Sequence, residues 1–332
     1  MNAIDFVIAR GTLVTLLGPS GCGKTTTLRL IAGLEHASTG RILIGERDVT
    51  TLSAADRNVS MVFQSYALFP HMNVLENVCY GLRASGIERR RAEAMARAKL
   101  ELVGLKGFES RLPSELSGGQ QQRVAVARAI VLEPEVLLFD EPLSNLDAKL
   151  RRHVREEIRA LQQDLKLTVV YVTHDQHEAL AVSDRIIVMN TARIAQDGTP
   201  RQLYELPASR FVADFIGDAN LLAVTVRRLD AVMAAVELGS LTLRLPHRGA
   251  ADGAAELAVR PQAIRLLAPG SGLPGRIVKA AYLGSHMEYE VALAGQHGEI
   301  FVIAADVANP LAAGTEIGVG FDETALAVVP PG

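Results

Sequence analysis

The chain has 332 residues, of which 48% are hydrophobic and 21% charged, and its formal net charge is −3. That length gives room for two or three domains and a sizeable core, the balanced charge offers no basic field for nucleic acid, and the apolar runs are far shorter than the roughly 18 residues of a membrane span. Cys22 and Cys79 make no disulfide framework and suit a reducing compartment, while Met1 to Arg10 lacks a charged segment followed by an apolar one, so no signal peptide is read there and a cytoplasmic location is expected.

Asp5 to Ile8 alternates polar and apolar residues as a strand does, and Arg10-Gly11 turns the chain into the apolar run Leu13 to Leu17. Directly behind that run stands Gly18-Pro19-Ser20-Gly21-Cys22-Gly23-Lys24-Thr25, followed by the helical pattern Thr26 to Ala32. Strand, glycine loop and helix form the context in which G-x-x-x-x-G-K-[ST] binds phosphate. Glycines at 18, 21 and 23 let successive backbone N–H groups curl around an anion, and the helix aims its positive end at the same point. Lys24 adds a point charge for the outer phosphates, and the Thr25 hydroxyl is a hard oxygen ligand for Mg²⁺.

Gly33 to Gly40 breaks the helical pattern, after which Arg41 to Gly45 and Val59 to Phe63 read as short strands. The second ends at Gln64, either a solvated amide closing a buried strand or a polar group delivered to the phosphate site. Ser65 to Gly86 is rich in aromatic and small residues, and Glu88 to Val103 has the charge density of an exposed helix, so about 65–132 reads as an inserted helical segment.

Leu116-Ser117-Gly118-Gly119-Gln120 precedes the strong helical pattern Gln121 to Ile130. Ser117 as N-cap with Gln120 three residues on makes a capping box, which is ordinary helix-start chemistry. It does not explain two glycines in the first turn, where each costs up to about 1 kcal/mol relative to alanine. Bare backbone there would let an anion approach, giving a second phosphate-binding surface. An inserted segment is badly placed to fold back onto its own phosphate loop, so a second subunit is implied.

Val136 to Phe139 ends in Asp140-Glu141, which puts two carboxylates where a buried parallel strand reaches the sheet edge and ligands bind. Phosphoryl transfer asks for one carboxylate near Mg²⁺ and one group that orients or deprotonates a water; Asp140 suits the first role and Glu141 the second. Ser144-Asn145-Leu146-Asp147 then caps a helix whose apolar positions Leu150, Val154, Ile158, Leu161 and Leu165 recur every three or four residues. Thr168 to Thr173 is a buried strand ending at His174-Asp175, and Arg185 to Met189 is another. A lone histidine at a strand end is commonly a structural hydrogen-bonder, but the position of His174 matches those of Gln64 and Asp140.

This constellation resembles the nucleotide-binding subunit of ATP-binding-cassette (ABC) transporters over essentially the whole chain. Gly18 to Thr25 matches the Walker A loop, Gln64 the Q-loop, Leu116 to Gln120 the signature sequence, Val136 to Asp140 the Walker B strand, Ser144 to Asp147 the D-loop and His174 the H-loop. The resemblance implies catalytic roles for Glu141, His174 and Gln64, ATP contacts from Gly18 through Thr26, from Ser117, Gly118, Gly119 and Gln120 and from Asp147, and Mg²⁺ contacts from Thr25, Gln64 and Asp140. It further implies an α/β P-loop NTPase (RecA-like) fold over residues 1–219, with a helical subdomain at about 65–132. The expected assembly is a head-to-tail homodimer with two ATP sandwiched between Walker A and the opposite signature. That dimer would drive a membrane permease at the cytoplasmic face of a bacterial inner membrane, with the 64–86 region facing the permease.

After Gly217-Asp218-Ala219-Asn220 short alternating runs replace helices: Leu222 to Val226, Ala231 to Leu238, Leu241 to Leu245, Leu257 to Arg260, Gly275 to Leu283, Glu288 to Ala294, Glu299 to Ala304 and Glu316 to Phe321. Their spacing suggests a small barrel, so 220–332 is read as a second, all-β domain. Ala258 to Leu266 and Tyr282 to Ser285 resemble the OB-type (TOBE) regulatory domain appended to importer ATPases for carbohydrates, polyamines, ferric iron and phosphonates. An importer supplied by a periplasmic binding protein is therefore expected, for ferric iron, polyamine or phosphonate ahead of sugar; a non-transport ATPase regulator is the alternative. Family members ordinarily carry an opening strand and an adenine-stacking aromatic ahead of the segment matching Asp5 to Gly11. Phe6, the only aromatic before the phosphate loop, reads as core, so the chain as written is expected to be truncated or weakly base-selective.

Overall fold

In the computed structural model, which describes residues 4–295 and 298–329, the apolar runs become strands buried on both faces. Residues 1–3, 296–297 and 330–332 lie outside the described residues, and with them the outermost bounds expected for the two domains. The chain divides into two units, one ending at Pro200 and one beginning at Arg201.

In the first unit β1 (Leu13–Leu17) feeds the glycine loop and α1 (Lys24–Ala32); a two-residue hairpin, β2 (Leu43–Ile44) and β3 (Arg47–Asp48), follows, and then β4 (Val59–Val62). The helical insertion comprises α2 (Val74–Ala84), α3 (Arg89–Leu102) and α4 (Gly118–Ile130), before the chain returns through β5 (Val136–Asp140), α5 (Ala148–Leu165), β6 (Thr168–Thr173), α6 (Gln176–Val182), β7 (Arg185–Asn190) and β8 (Arg193–Gly198). The sheet order is β4-β5-β6-β1-β7-β8, parallel except for β8. Because successive side chains of a strand point to opposite faces, Leu13, Leu137, Phe139, Val169 and Tyr171 join Val154 and Ile158 of α5 in one core. Val14, Leu16, Leu138, Val170 and Val172 join Leu28 and Ala32 of α1 in the other. The insertion has a core of its own, built from Val78, Leu82, Ala96, Leu100 and Val124.

Two local expectations differ. Asp5 to Ile8 is not a strand: Ile4, Phe6 and Ile8 do turn toward the core while Asp5 and Val7 face out, but no ladder forms and the Val7 carbonyl is taken by the Arg185 guanidinium. Alternation of side chains is a property of any extended segment; a strand also needs a partner for its backbone. Conversely, the edge strand β8 was not legible, since Gln196 and Asp197 break its apolar pattern and most of it is half-exposed.

In the second unit α7 (Pro200–Glu205) and α8 (Arg210–Phe215) precede ten strands: β9 (Asn220–Arg228), β10 (Met233–Leu238), β11 (Leu241–Pro246), β12 (Gly253–Val259), β13 (Ile264–Leu267), β14 (Leu273–Tyr282), β15 (Met287–Leu293), β16 (Glu299–Ala304), β17 (Glu316–Phe321) and β18 (Leu326–Val329). They form two antiparallel five-stranded sheets, β11-β10-β9-β12-β18 and β13-β17-β14-β15-β16, around one shared core. This is the all-antiparallel, OB-like second domain. The composition change near Gly217 marks where its strands begin, whereas the compact unit also takes in α7 and α8, the latter packed on β9 and β12.

Candidate nucleotide site

Three features of the loop before α1 follow from its glycines. A Cβ at Gly18 would stand 2.3 Å from the Met189 carbonyl oxygen and 2.7 Å from Cys22 Sγ, so nothing larger fits. Gly21 and Gly23 have φ of 79° and 101°, values that side chains resist. The loop thus closes tightly enough for Lys24 Nζ to donate to the carbonyls of Gly18 (2.7 Å) and Pro19 (2.9 Å). The Cys22 side chain turns into the core under the loop.

Strand ends bring the acidic groups to the same place. Thr25 Oγ1 donates to Asp140 Oδ1 at 3.3 Å, joining the start of α1 to the end of β5. Burial pushes the Asp140 carboxyl above its ordinary value, and the Thr25 hydrogen bond opposes that rise. Glu141 sits in the left-handed region at φ 46°, held by its N–H donating to the Val172 carbonyl at 3.0 Å and by Ser144 Oγ donating to its own carbonyl at 3.0 Å. Such strain persists only where the surroundings over-determine it. It aims the Glu141 carboxylate at His174, whose Nδ1 lies 3.0 Å from Oε2. Lys24, Thr25, Asp140, Glu141 and His174 are therefore brought together by β1, β5 and β6, adjacent strands of the sheet.

The remaining expected residues stand differently. Gln64 is exposed just beyond β4, and its carbonyl accepts from Asn145 Nδ2 at 3.0 Å. Asp147 caps α5, accepting from Lys149 N (3.1 Å) and Leu150 N (3.0 Å). Ser117 and Gln120 form the capping box at the start of α4, with Ser117 N donating to Gln120 Oε1 at 2.9 Å. The two glycines between them have a packing role that sequence reasoning missed. A Cβ on Gly119 would lie 3.0 Å from Leu150 Cδ1, and one on Gly118 3.1 Å from Leu146 Cδ2, so a side chain at either position would press on the tips of leucines of the same chain. Among the described residues no hydrogen bond joins Ser117 to Gln120 with the glycine loop, and no three His, Cys, Asp or Glu side chains cluster as a metal cage. Sequence reasoning also missed Arg128, which donates to the carbonyls of Tyr66 (3.0 Å) and Ala67 (2.8 Å), two left-handed residues just after Gln64. No sequence signal distinguishes it from Arg123, the other arginine of its helix.

The family model described as ABC transporter matches residues 1–144, and the TOBE domain model matches residues 257–329. The chain is 60% identical over 327 residues, 98% of its length and 92% of the relative's, to a protein of Rhizobium meliloti (strain 1021) named Fe(3+) ions import ATP-binding protein FbpC 1. A protein of Escherichia coli (strain K12) named Fe(3+) ions import ATP-binding protein FbpC is 50% identical over 297 residues, 89% of this chain and 84% of that one. Among solved structures, a dimeric post-hydrolysis state of the ATP-binding cassette MJ0796 bound to ADP and Pi is similar with a TM-score of 0.53 and 31% identity, covering 60% of this chain and 89% of that one. The chain therefore belongs to the family of ABC importer ATPases, an ATP-binding and ATP-hydrolysing cassette followed by a TOBE domain.

Proposed function

We propose that this ATPase powers uptake of ferric iron, acting as a head-to-tail homodimer on a membrane permease at the cytoplasmic face of a bacterial cell membrane and fed indirectly by a periplasmic binding protein. The observation that carries the choice of substrate is the 60% identity, spread over 98% of the chain, to a relative named for Fe(3+) import. That no helix among the described residues is long and apolar enough to cross a membrane fits a subunit that depends on a separate permease.

Within each site, Lys24 exchanges its loop carbonyls for the outer phosphates of ATP, and the N-terminus of α1 adds its partial positive charge. Glu141 orients and deprotonates the attacking water, and His174 at 3.0 Å holds that carboxylate in place. Mg²⁺ suits Thr25 and Asp140: two hard oxygens are already in contact, and burial has left the Asp140 carboxylate in need of a positive neighbour. Gln64, at the neighbouring strand end, is the third candidate contact. Bound there, the ion would neutralise charge on the phosphates. Ser117 to Gln120 and Asp147 complete the site of the opposite subunit.

The test is uptake of radiolabelled ferric iron by a strain from which the coding sequence is deleted. The parental chain should restore uptake, and Glu141→Gln should fail to restore it while still binding ATP, since loss of a positioned base lowers rates about 10²–10⁴-fold. Ferric iron uptake that survives the deletion while polyamine, phosphonate or sugar uptake disappears would overturn the assignment of substrate.

A further inference from the structure

Directly behind the Glu141–His174 pair lies a carboxylate to which neither sequence motif nor family resemblance gives a role. Glu178, on α6, is 4% exposed. Its oxygens accept from the Tyr171 hydroxyl at 2.7 Å and from the Thr173 hydroxyl. Thr173 Oγ1 in turn accepts from Asp175 N at 3.0 Å, and Asp175 Oδ1 accepts from Glu178 N at 3.0 Å. The ring Glu178, Thr173, Asp175, Glu178 spans His174 in the chain and fixes the residues on both sides of it.

The direction of the bonds gives the ring its content. An ionised carboxylate can only accept, so it commits the single proton of the Thr173 hydroxyl and leaves that oxygen's lone pairs to the Asp175 amide. Burying a carboxylate is expensive unless it is compensated, and the nearby cation, Arg151, contacts Asp175 at 3.5 Å and the Leu146 carbonyl at 3.0 Å instead. Burial pushes the Glu178 carboxyl upward, against the two hydroxyl bonds that hold it down. An apolar residue would meet the packing need at lower cost, so the carboxylate calls for another explanation. Glu141, Thr173, His174 and Glu178 line one small cavity of about 80 Å³, so any slack in the 173–175 turn is felt at the reacting pair.

We propose that Glu178 is a positioning residue for ATP hydrolysis: through the Thr173 hydroxyl it locks the 173–175 turn and so holds His174 against Glu141. This rests on the reading of Glu141 and His174 as the hydrolytic pair, and the experiment separates the two. Steady-state ATP hydrolysis is measured on the full chain for the parent, Glu178→Gln, Thr173→Val, Thr173→Ser, His174→Ala and the double variants with His174→Ala. Glutamine can donate as well as accept, so it no longer dictates the hydroxyl proton. Glu178→Gln and Thr173→Val should each lower kcat about 10- to 100-fold, the scale of a misplaced catalytic group, with KM for ATP within about twofold. Thr173→Ser should stay near the parental rate, and neither Glu178→Gln nor Thr173→Val should lower the rate further in the His174→Ala background. Should Glu178→Gln fail to fold, Thr173→Val and its serine counterpart carry the test. Parental kcat in both Glu178→Gln and Thr173→Val, or an undiminished loss in the His174→Ala background, would overturn the positioning role. Parental kcat in His174→Ala would overturn the hydrolytic pair itself, and this proposal with it.

Discussion

Asp184 shows how much a single side chain can carry without belonging to any motif. Between α6 and β7, its Oδ2 accepts from Leu13 N at 2.8 Å and from Arg159 Nη1 at 3.1 Å, while Oδ1 takes the other arm of the same guanidinium. It thereby ties β1, whose far end opens the glycine loop, to α5. Arg159, followed by the Leu13 amide, holds the Asp184 carboxyl below its ordinary value. A lowered carboxylate contributes stability that is present above its unfolded pKa and lost as pH falls through the folded one. Asp184→Asn should therefore melt below the parent at neutral pH, and the gap should close on acidification through the carboxylate range; a gap independent of pH would contradict this account. At this scale the sequence was legible wherever chemistry demands fixed spacing. Lys24, Thr25 and Asp140 stand where glycine loop and strand end put them, because phosphate binding leaves little freedom. Asp184 and Arg128 owe their roles to partners distant in the chain, and Glu178 owes its role to burial against the hydroxyls of the neighbouring strand, none of which a local pattern records.

Elements follow the same division. Strands β1, β5 and β6 are buried on both faces and announce themselves as apolar runs, whereas β8 at the edge and the extended Ile4 to Ile8 segment are decided by whether a backbone partner exists. The short helices α7 and α8 depend on Arg260. This 4% exposed arginine donates to the carbonyls of Tyr204, Ala213 and Ile216 and stacks on the Tyr204 ring at 4.2 Å. Carbonyls at the ends of helices carry partial negative charge, so the guanidinium finds compensation there. Arg260→Met keeps much of the volume and removes every donor. It should destabilise the second unit by about 2 to 4 kcal/mol through the orphaned carbonyls, read as a lower denaturant midpoint, with ATP binding by the first unit retained. An unchanged midpoint would show that α7 and α8 are held by packing alone.

For the whole molecule, the glycine loop, Asp140, Glu141 and His174 gather at one edge of the first unit's sheet, while Ser117 to Gln120 belong to the helical insertion and close their own capping box. The sequence conveyed this separation through the position of the insertion between β4 and β5. It concealed that Gly118 and Gly119 also pack closely against Leu146 and Leu150 of the same chain, because that contact joins elements far apart in sequence. The central claim, that each ATP is hydrolysed between the loop of one subunit and the signature helix of another, is tested most directly by mixing two inactive variants. Lys24→Ala spoils the loop and Ser117→Arg blocks the signature, so each homodimer should be inactive. Mixed as monomers before ATP is added, half of the dimers would pair the two variants and contain one site with both parts intact, restoring about a quarter of the parental rate if sites act independently. A mixture as inactive as its components, with pairing verified by differential labelling, would contradict the account.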